Sequence, residues 1–269
     1  METAQRRCIT AAAATAARLL DIPCHSGADR PLDPVLEEAS RQFQGRTCDR
    51  MFFYNPDAIA QWIFEKYRPR FAGLEARAPL RLELRSVMPS VTPVCFASMY
   101  SGLTPDQHGI QAYVKPVLTV DTLFDDAARA GRRAAIISTE GDSISKIFLD
   151  RPIDYFIYPS KEACNAKALD LISRDEHDLI VLYNGDFDHN MHYHGPEGRR
   201  TLRALDENLA TFCTLHDAIQ SAWGGHDCTL AFAPDHGCHK VLGVFGNHGL
   251  DQPSDMELCH FYSFLPRHG

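Results

Sequence analysis

The chain has 269 residues, 45% hydrophobic and 23% charged, with 27 Lys and Arg against 35 Asp and Glu for a formal charge of −8. That composition excludes a disordered, collagen-like or coiled-coil chain, and the acidic balance lacks the basic footprint of a protein that binds a nucleic-acid polymer. No run of about 18 apolar residues is present, so no membrane-spanning helix is predicted.

The first 20 residues, METAQRRCITAAAATAARLL, read as an amphipathic helix. Glu2 before the apolar run and Arg18 within its end argue against a secretory signal. A polar turn follows from Pro23 to Pro34, then a short helix from Val35 to Phe43. Residues 1–48 are taken as a helical appendage, a packing element or an oligomer contact, and 49–269 as the main domain. From Arg50 the pattern is strand then helix, repeatedly. Arg50–Tyr54 is a buried strand. Ala58–Phe71 has helical spacing at Ile59, Trp62, Ile63 and Tyr67. Leu80–Val87 alternates as a strand does, and Pro93–Ser101 is small and apolar, as in a buried helix. Asp121–Ala130 is a helix that stops at Gly131. Arg133–Ser138 and Asp154–Tyr158 are strands, Lys161–Arg174 a helix, and Asp178–Tyr183 a strong strand. Glu197–Trp223 is a long amphipathic helix, and Cys228–Ala233 and Cys259–Leu265 are the last strands. Alternation of this kind predicts an α/β fold, a three-layer sandwich with a mainly parallel central sheet flanked by helices. Ligands of such sheets bind beyond the carboxyl ends of the strands.

Acidic and imidazole side chains fall at those ends. Asp57 follows the first strand, Asp188 and His192 follow DLIVLY, Asp235 and His236 follow CTLAFAP, and His248 lies in the turn Gly246-Asn-His-Gly249. Three Asp and three His make two sets of three ligands, which suits a pair of divalent ions. Each also has an ordinary role open to it: an Asp after a strand caps helices, and Asp188 and His192 are either a shared helix face or a cap and a surface histidine. Thr92, just before Pro93, is open to the same two readings. It is a helix N-cap, or a hydroxyl set at a helix N-terminus where a phosphate is stabilised and a metal would activate it as a nucleophile. Ser90 is the competing hydroxyl. The nine cysteines are odd in number and form no Cys-x-x-Cys pair, which is the pattern of reduced thiols in a cytoplasmic protein.

The segment from Met88 to Ile110 resembles the nucleophile segment of the alkaline phosphatase superfamily, and most of all its type I phosphodiesterase/nucleotide pyrophosphatase branch. It carries Pro89-Ser-Val-Thr92 and then Gly102-Leu-Thr-Pro105-Asp-Gln-His108-Gly109. Asp188-His-Asn-Met-His192-Tyr-His-Gly195-Pro196, Pro234-Asp-His-Gly237 and Gly246-Asn-His-Gly249 are similar to the branch's metal segments, in its order. The resemblance covers residues 50–265. It implies an alkaline phosphatase-like fold and one metal on Asp57, Asp235 and His236 near Thr92. A second metal would sit on Asp188, His192 and His248. Zinc is the expected ion, with manganese an alternative. It also implies in-line attack by Thr92 on a small phosphate-ester substrate, a phospho-threonine intermediate, and hydrolysis of diesters, pyrophosphates, monoesters or phosphonates. An inactive metal-binding scaffold is the competing outcome.

Three departures from the branch stand out. Cys95 replaces the usual Asn three residues after the threonine, a position expected to meet a phosphate oxygen. Ala58 replaces the usual Gly after Asp57. Only 11 residues separate His236 from His248, which implies an open or differently covered site. Lys115 is either within reach of a phosphate or a surface lysine.

Overall fold

Residue parity in strand β1 (Arg50–Pro56) divides the interior into two layers, because successive side chains of a strand leave opposite faces of the sheet. Met51 and Phe53 enter one core, and Phe52 and Tyr54 enter the other. The structure, a computed structural model, describes residues 7–243 and 245–268. The first six residues of the predicted N-terminal helix lie outside the described residues.

The chain begins with α1 (Ala11–Leu19) and α2 (Asp33–Gln42), then enters β1. The helical stretch after it is divided at Pro69, which cannot donate within a helix. It becomes α3 (Gln61–Tyr67), a 3-10 turn (Arg68–Phe71) and α4 (Ala72–Arg77). Next come β2 (Leu80–Arg85), α5 (Thr92–Ser101), α6 (Pro105–His108), α7 (Leu123–Arg129), β3 (Ala134–Thr139), α8 (Ile144–Ile147), β4 (Asp154–Tyr158) and α9 (Lys161–Arg174). The rest is β5 (Leu179–Asn184), α10 (Asp186–His194), α11 (Arg199–Ala222), β6 (Cys228–Phe232), β7 (His239–Lys240), β8 (Gly246–Asn247), α12 (Pro253–Met256) and β9 (Glu257–Leu265).

Seven strands form one sheet in the order β2-β9-β6-β1-β5-β3-β4, and only β9 runs against the others. The fold is therefore the expected α/β sandwich around a mainly parallel sheet. β1, β5 and β6 are buried along almost their whole length, which is why they read as unbroken apolar runs. One face is covered by α1, α5, α7 and α8, and the other by α3, α4, α9, α10 and α11.

Helix α1 departs from the expected amphipathic pattern. Eight of its nine residues are buried and only Arg18 is exposed. Its alanines let it lie within the core layer beside α5 and α7, and a helix apolar on all sides belongs in an interior. All nine cysteines are free. No helix among the described residues is long and apolar enough to cross a membrane.

Candidate metal centre

Three adjacent strands at the middle of the sheet bring the acidic and imidazole groups together. β1 lies between β5 and β6, with Pro56 beside Asn184, and the amide of Asp57 donates to Asn184 O at 3.0 Å. Asp57 leaves the end of β1, Asp235 and His236 leave the end of β6, and α10 follows β5 at once. Asp188 and His192, one helical turn apart on α10, are thereby delivered to the same edge.

Two groups of three form there: Asp57, Asp235 and His236, all buried, and Asp188, His192 and His248. In the first, His236 Nε2 is 3.3 Å from Asp57 Oδ1 and 3.5 Å from Asp235 Oδ2. In the second, Asp188 Oδ1 is 3.3 Å from His192 Nε2 and 3.4 Å from His248 Nε2. The groups abut, since the His236 and His248 rings stack at 4.2 Å.

The donor chemistry fits a pair of cations. Asp57 Oδ1, Asp188 Oδ1 and Asp235 Oδ2 are buried without a hydrogen-bond partner, and they are the oxygens that face the histidines. Each histidine turns its other nitrogen to a backbone carbonyl: His192 Nδ1 to Gly246 O at 3.2 Å, His236 Nδ1 to Gly237 O at 2.9 Å, and His248 Nδ1 to Ser90 O at 3.0 Å. A carbonyl only accepts, so each Nδ1 carries the proton and each Nε2 presents a lone pair inward, the tautomer a metal requires. His192 and His248 then oppose two lone pairs across 3.2 Å, an arrangement that a shared cation relieves.

The electrostatics agree. Burial, then the charge of Asp188, pushes the Asp57 carboxyl up to about 6. Burial and Asp57 push Asp235 well above the carboxylate range. Burial and the neighbouring His236 push His248 down to about 3, leaving it neutral.

Thr92 does not take the capping role open to it. It is the first residue of α5, after Val91 at the N-cap position, and its side chain makes no capping hydrogen bond. Its hydroxyl donates to Asp57 Oδ2 at 3.2 Å and lies 3.4 Å from His236 Nε2. The competing Ser90 is buried, with its hydroxyl 3.5 Å from Leu250 O. Asp188 does not cap α10 either.

Cys95 requires a correction. Its side chain is fully buried, 3.1 Å from Ser86 Oγ, while Ser86 donates to Asp235 O at 2.7 Å. It does not line the cavity over Thr92, so a phosphate oxygen would not meet this position. Cys95 instead packs behind the turn that presents Asp235. Ala58 adopts φ +62°, the left-handed region where glycine is at ease, which accounts for the glycine usual in the branch. The short span from His236 to His248 folds as the β7–β8 hairpin, held by Asp255. This buried carboxylate bonds His239 Nδ1 at 2.7 Å and accepts from the Leu250 amide at 3.0 Å.

Over the cluster lies a cavity of about 840 Å³, whose walls include Thr92, Tyr113, Lys115, Asp142 and Tyr193. Tyr183 was missed in the sequence. Its hydroxyl donates to Asp57 Oδ2 at 2.5 Å, and the signal for it was its place at the end of the strand beside Asp57. A third group, Cys24, His25 and Asp126, also comes together, but both ring nitrogens of His25 are already bonded, to Asp126 and to Ser101 O.

The family "Type I phosphodiesterase / nucleotide pyrophosphatase" matches residues 54–260, which span the whole arrangement. The chain belongs to that family. Members of this family are phosphoester hydrolases. No curated protein sequence matches the chain. Among solved structures it is similar to murine ectonucleotide pyrophosphatase/phosphodiesterase 5, an inactive threonine-to-alanine variant in complex with AMP (TM-score 0.57, 17% identity, 71% of this chain and 58% of that one). The human form of that protein gives a TM-score of 0.53 at 19% identity, over 71% of this chain and 57% of that one. Phosphonoacetate hydrolase from Sinorhizobium meliloti 1021, in complex with phosphonoformate, gives 0.52 at 16% identity, over 73% of this chain and 59% of that one. At these identities the likeness is one of fold, and the chain covers less than three-fifths of each of these structures.

Proposed function

We propose that the chain is a two-metal phosphohydrolase of the phosphodiesterase/nucleotide pyrophosphatase type with Thr92 as nucleophile. One observation carries the reading. Three buried, unpartnered carboxylate oxygens and three inward imidazole lone pairs gather beside a hydroxyl that serves no capping role. Asp57, Asp235 and His236 would hold one divalent cation, and Asp188, His192 and His248 the other. Zinc suits the second set of one carboxylate and two imidazoles, and manganese is the alternative for the first.

When bound, the cations supply charge neutralisation and acidify the hydroxyl. The chain's own residues do the rest. Asp57 and Tyr183 fix where the Thr92 oxygen points. α5 presents its positive end to the phosphoryl group, although Pro93 has no amide hydrogen and the Val94 and Cys95 amides both turn back to Val91 O at 3.0 Å. The helix end thus offers its field and the Thr92 amide rather than a ring of donors. Thr92 Oγ forms a bond to phosphorus as the ester oxygen departs with a proton. Water then cleaves the phospho-threonine and restores the hydroxyl. That a threonine-to-alanine variant of the murine relative is inactive supports the assignment.

Phosphonate hydrolysis is the second reading, favoured by the likeness to phosphonoacetate hydrolase. The inactive-scaffold reading loses its support, because Cys95 does not face the cavity. The nine free thiols favour a cytoplasmic protein.

The deciding experiment compares zinc-loaded protein on bis-p-nitrophenyl phosphate and p-nitrophenyl phosphate. Preference for the diester is expected. Preference for the monoester would make it a phosphatase, and silence on both with two zinc ions bound would overturn the reading.

A further inference from the structure

The loop after α6 builds a wall of the cavity that the metal-type residues do not use, and two of its side chains, Tyr113 and Lys115, line that wall. Two ammonium groups reach the cavity. Lys161 is already neutralised by Asp186 and Glu207. Lys115 forms no ion pair among the described residues. Its amine donates to Gly141 O at 2.9 Å and lies 5.3 Å over the Tyr113 ring. It nonetheless acts on the same region as the metal cluster. The Asp142 carboxyl, which lines the cavity too, is pushed up to about 7 by burial and Asp57, and it feels both Lys115 and Asp188. The Tyr113 phenol is raised by burial and by Asp57, Asp188 and Asp142, so it stays protonated and able to donate.

Lys115 is a half-buried residue, and a lysine at a cavity wall with no ion-pair partner among the described residues is a place for an anion. A scissile phosphodiester group does not need it. Two divalent cations on three carboxylates leave one positive charge, which one phosphodiester group neutralises. A second negative group on the substrate would need its own cation.

We propose that Lys115, with the Tyr113 side chain beside it, binds a second oxyanion carried beyond the scissile phosphorus, either a carboxylate or a further phosphoryl group. Lys115 is thereby a specificity-determining residue that selects phosphate esters or phosphonates carrying a second anionic group over those with the scissile group alone. The inference rests on the phosphohydrolase reading above and deepens it.

The test measures binding by calorimetry to zinc-loaded Thr92→Ala protein, which prevents turnover, with zinc in excess. The probes are propylphosphonate, phosphonoacetate and methylenediphosphonate. At least one probe with a second anionic group should bind about tenfold or more tightly than propylphosphonate. A gain with phosphonoacetate alone assigns a carboxylate. A gain with methylenediphosphonate alone assigns a second phosphoryl group, and a gain with both assigns a general oxyanion site. Adding Lys115→Ala should erase the gain and leave propylphosphonate binding within twofold, while Lys115→Arg should keep most of it. With Thr92 intact, Lys115→Ala should leave the KM for p-nitrophenyl phosphate unchanged. A gain that survives Lys115→Ala, or no gain at all, overturns the inference and leaves the phosphohydrolase reading standing. Failure of propylphosphonate itself to bind overturns both.

Discussion

The Thr92 hydroxyl donates to Asp57 Oδ2 at 3.2 Å, so the residue that opens α5 is held by the residue that follows β1. A threonine whose side chain capped its helix would point at the amides of the next turn. This one points at a carboxylate whose other oxygen has no partner. Thr92→Ala should therefore lower kcat by at least about 10³-fold on the better p-nitrophenyl substrate while two zinc ions per chain remain bound. Thr92→Ser should retain measurable turnover. Metal analysis beside the kinetics makes the result decisive, since activity that survives Thr92→Ala removes Thr92 from the nucleophile's role.

Removal of metal should destabilise the fold as well as silence it. Asp57 and Asp235 are buried with unpartnered oxygens, and burying an uncompensated carboxylate is costly. Cations that bind the native chain and not the unfolded one add about 4 kcal/mol when present at a thousand times their Kd. Dipicolinate should lower the melting temperature by several degrees, and added zinc should restore it. A melting temperature indifferent to chelator, in protein shown to lose metal, would count against the assignment of these six ligands.

Much of the centre was visible in the sequence because a parallel sheet places its strand ends side by side. Short apolar runs marked β1, β5 and β6, and the polar residue after each run marked one edge. The grouping of Asp57 with Asp235 and His236, and of Asp188 with His192 and His248, came from family resemblance, and strand order in space supplies its physical reason. Other features were hidden because they depend on three-dimensional neighbours. Tyr183 looks like any strand aromatic until β5 is laid beside β1. Cys95 lies three residues after Thr92 on a helix whose ten residues are all buried, so spacing alone could not separate the cavity side from the core side. Helix α1 carries one charged residue, Arg18, in a run of small residues, and alanines fit a buried or an exposed face alike, so composition did not show that the helix is enclosed. The hairpin β7–β8 has only two residues in each strand and no periodicity to read.

Gly246 closes the group of Asp188, His192 and His248 by having no side chain. A Cβ there would lie 2.4 Å from Met191 Sδ and 2.8 Å from Met191 O, so only glycine lets β8 approach α10 closely enough for its carbonyl to take His192 Nδ1. Gly246→Ala should push β8 away, loosen His192 and shift His248 two residues on. Bound zinc should fall from two toward one per chain, and kcat by about 10–100-fold, as when a partner that orients a ligand is lost. Gly45→Ala is the control. Its φ is +80° and a Cβ there would meet nothing within 4 Å, so the substitution should lower stability slightly and leave zinc content alone.

Ala58 holds a conformation that disfavours side chains. An L-residue in the left-handed region costs about 1–2 kcal/mol. Ala58→Gly relieves that strain, but it loses about 0.8 kcal/mol of methyl burial and about 0.5–1 kcal/mol to the freer unfolded chain. These effects nearly cancel, so its stability by urea denaturation should stay within about 1 kcal/mol of the parent and activity should persist. Ala58→Val should fare far worse, because a β-branched residue at φ +62° is strained and Ala58 is fully buried. Equal tolerance of both substitutions would show that this turn is not constrained as described.

His25, between α1 and α2, is tied to α5 and α7 through a charge. Its Nδ1 meets Asp126 Oδ2 at 2.7 Å, its Nε2 meets Ser101 O at 2.7 Å, and both side chains are almost wholly enclosed. The bond to Asp126 raises the His25 pKa above 6.5 in spite of burial. Burial opposes the Asp126 charge, but the bonds from His25 and Arg129 outweigh it and hold the carboxyl below 3.8. The two shifts act at opposite ends of the pH scale. The histidine's contribution is complete below its ordinary value of 6.5 and disappears as pH rises through the raised one. The carboxylate's contribution is complete above its ordinary 3.8 and disappears as pH falls through the lowered one. Between those limits Asp126→Asn should cost about 3 kcal/mol, as expected when one partner of a buried ion pair is removed. Urea denaturation of both proteins from acid to mildly alkaline pH should show that difference widest near pH 5 and shrinking toward either end. A difference that is the same at every pH would mean that Asp126 supports this contact through its shape and not through its charge.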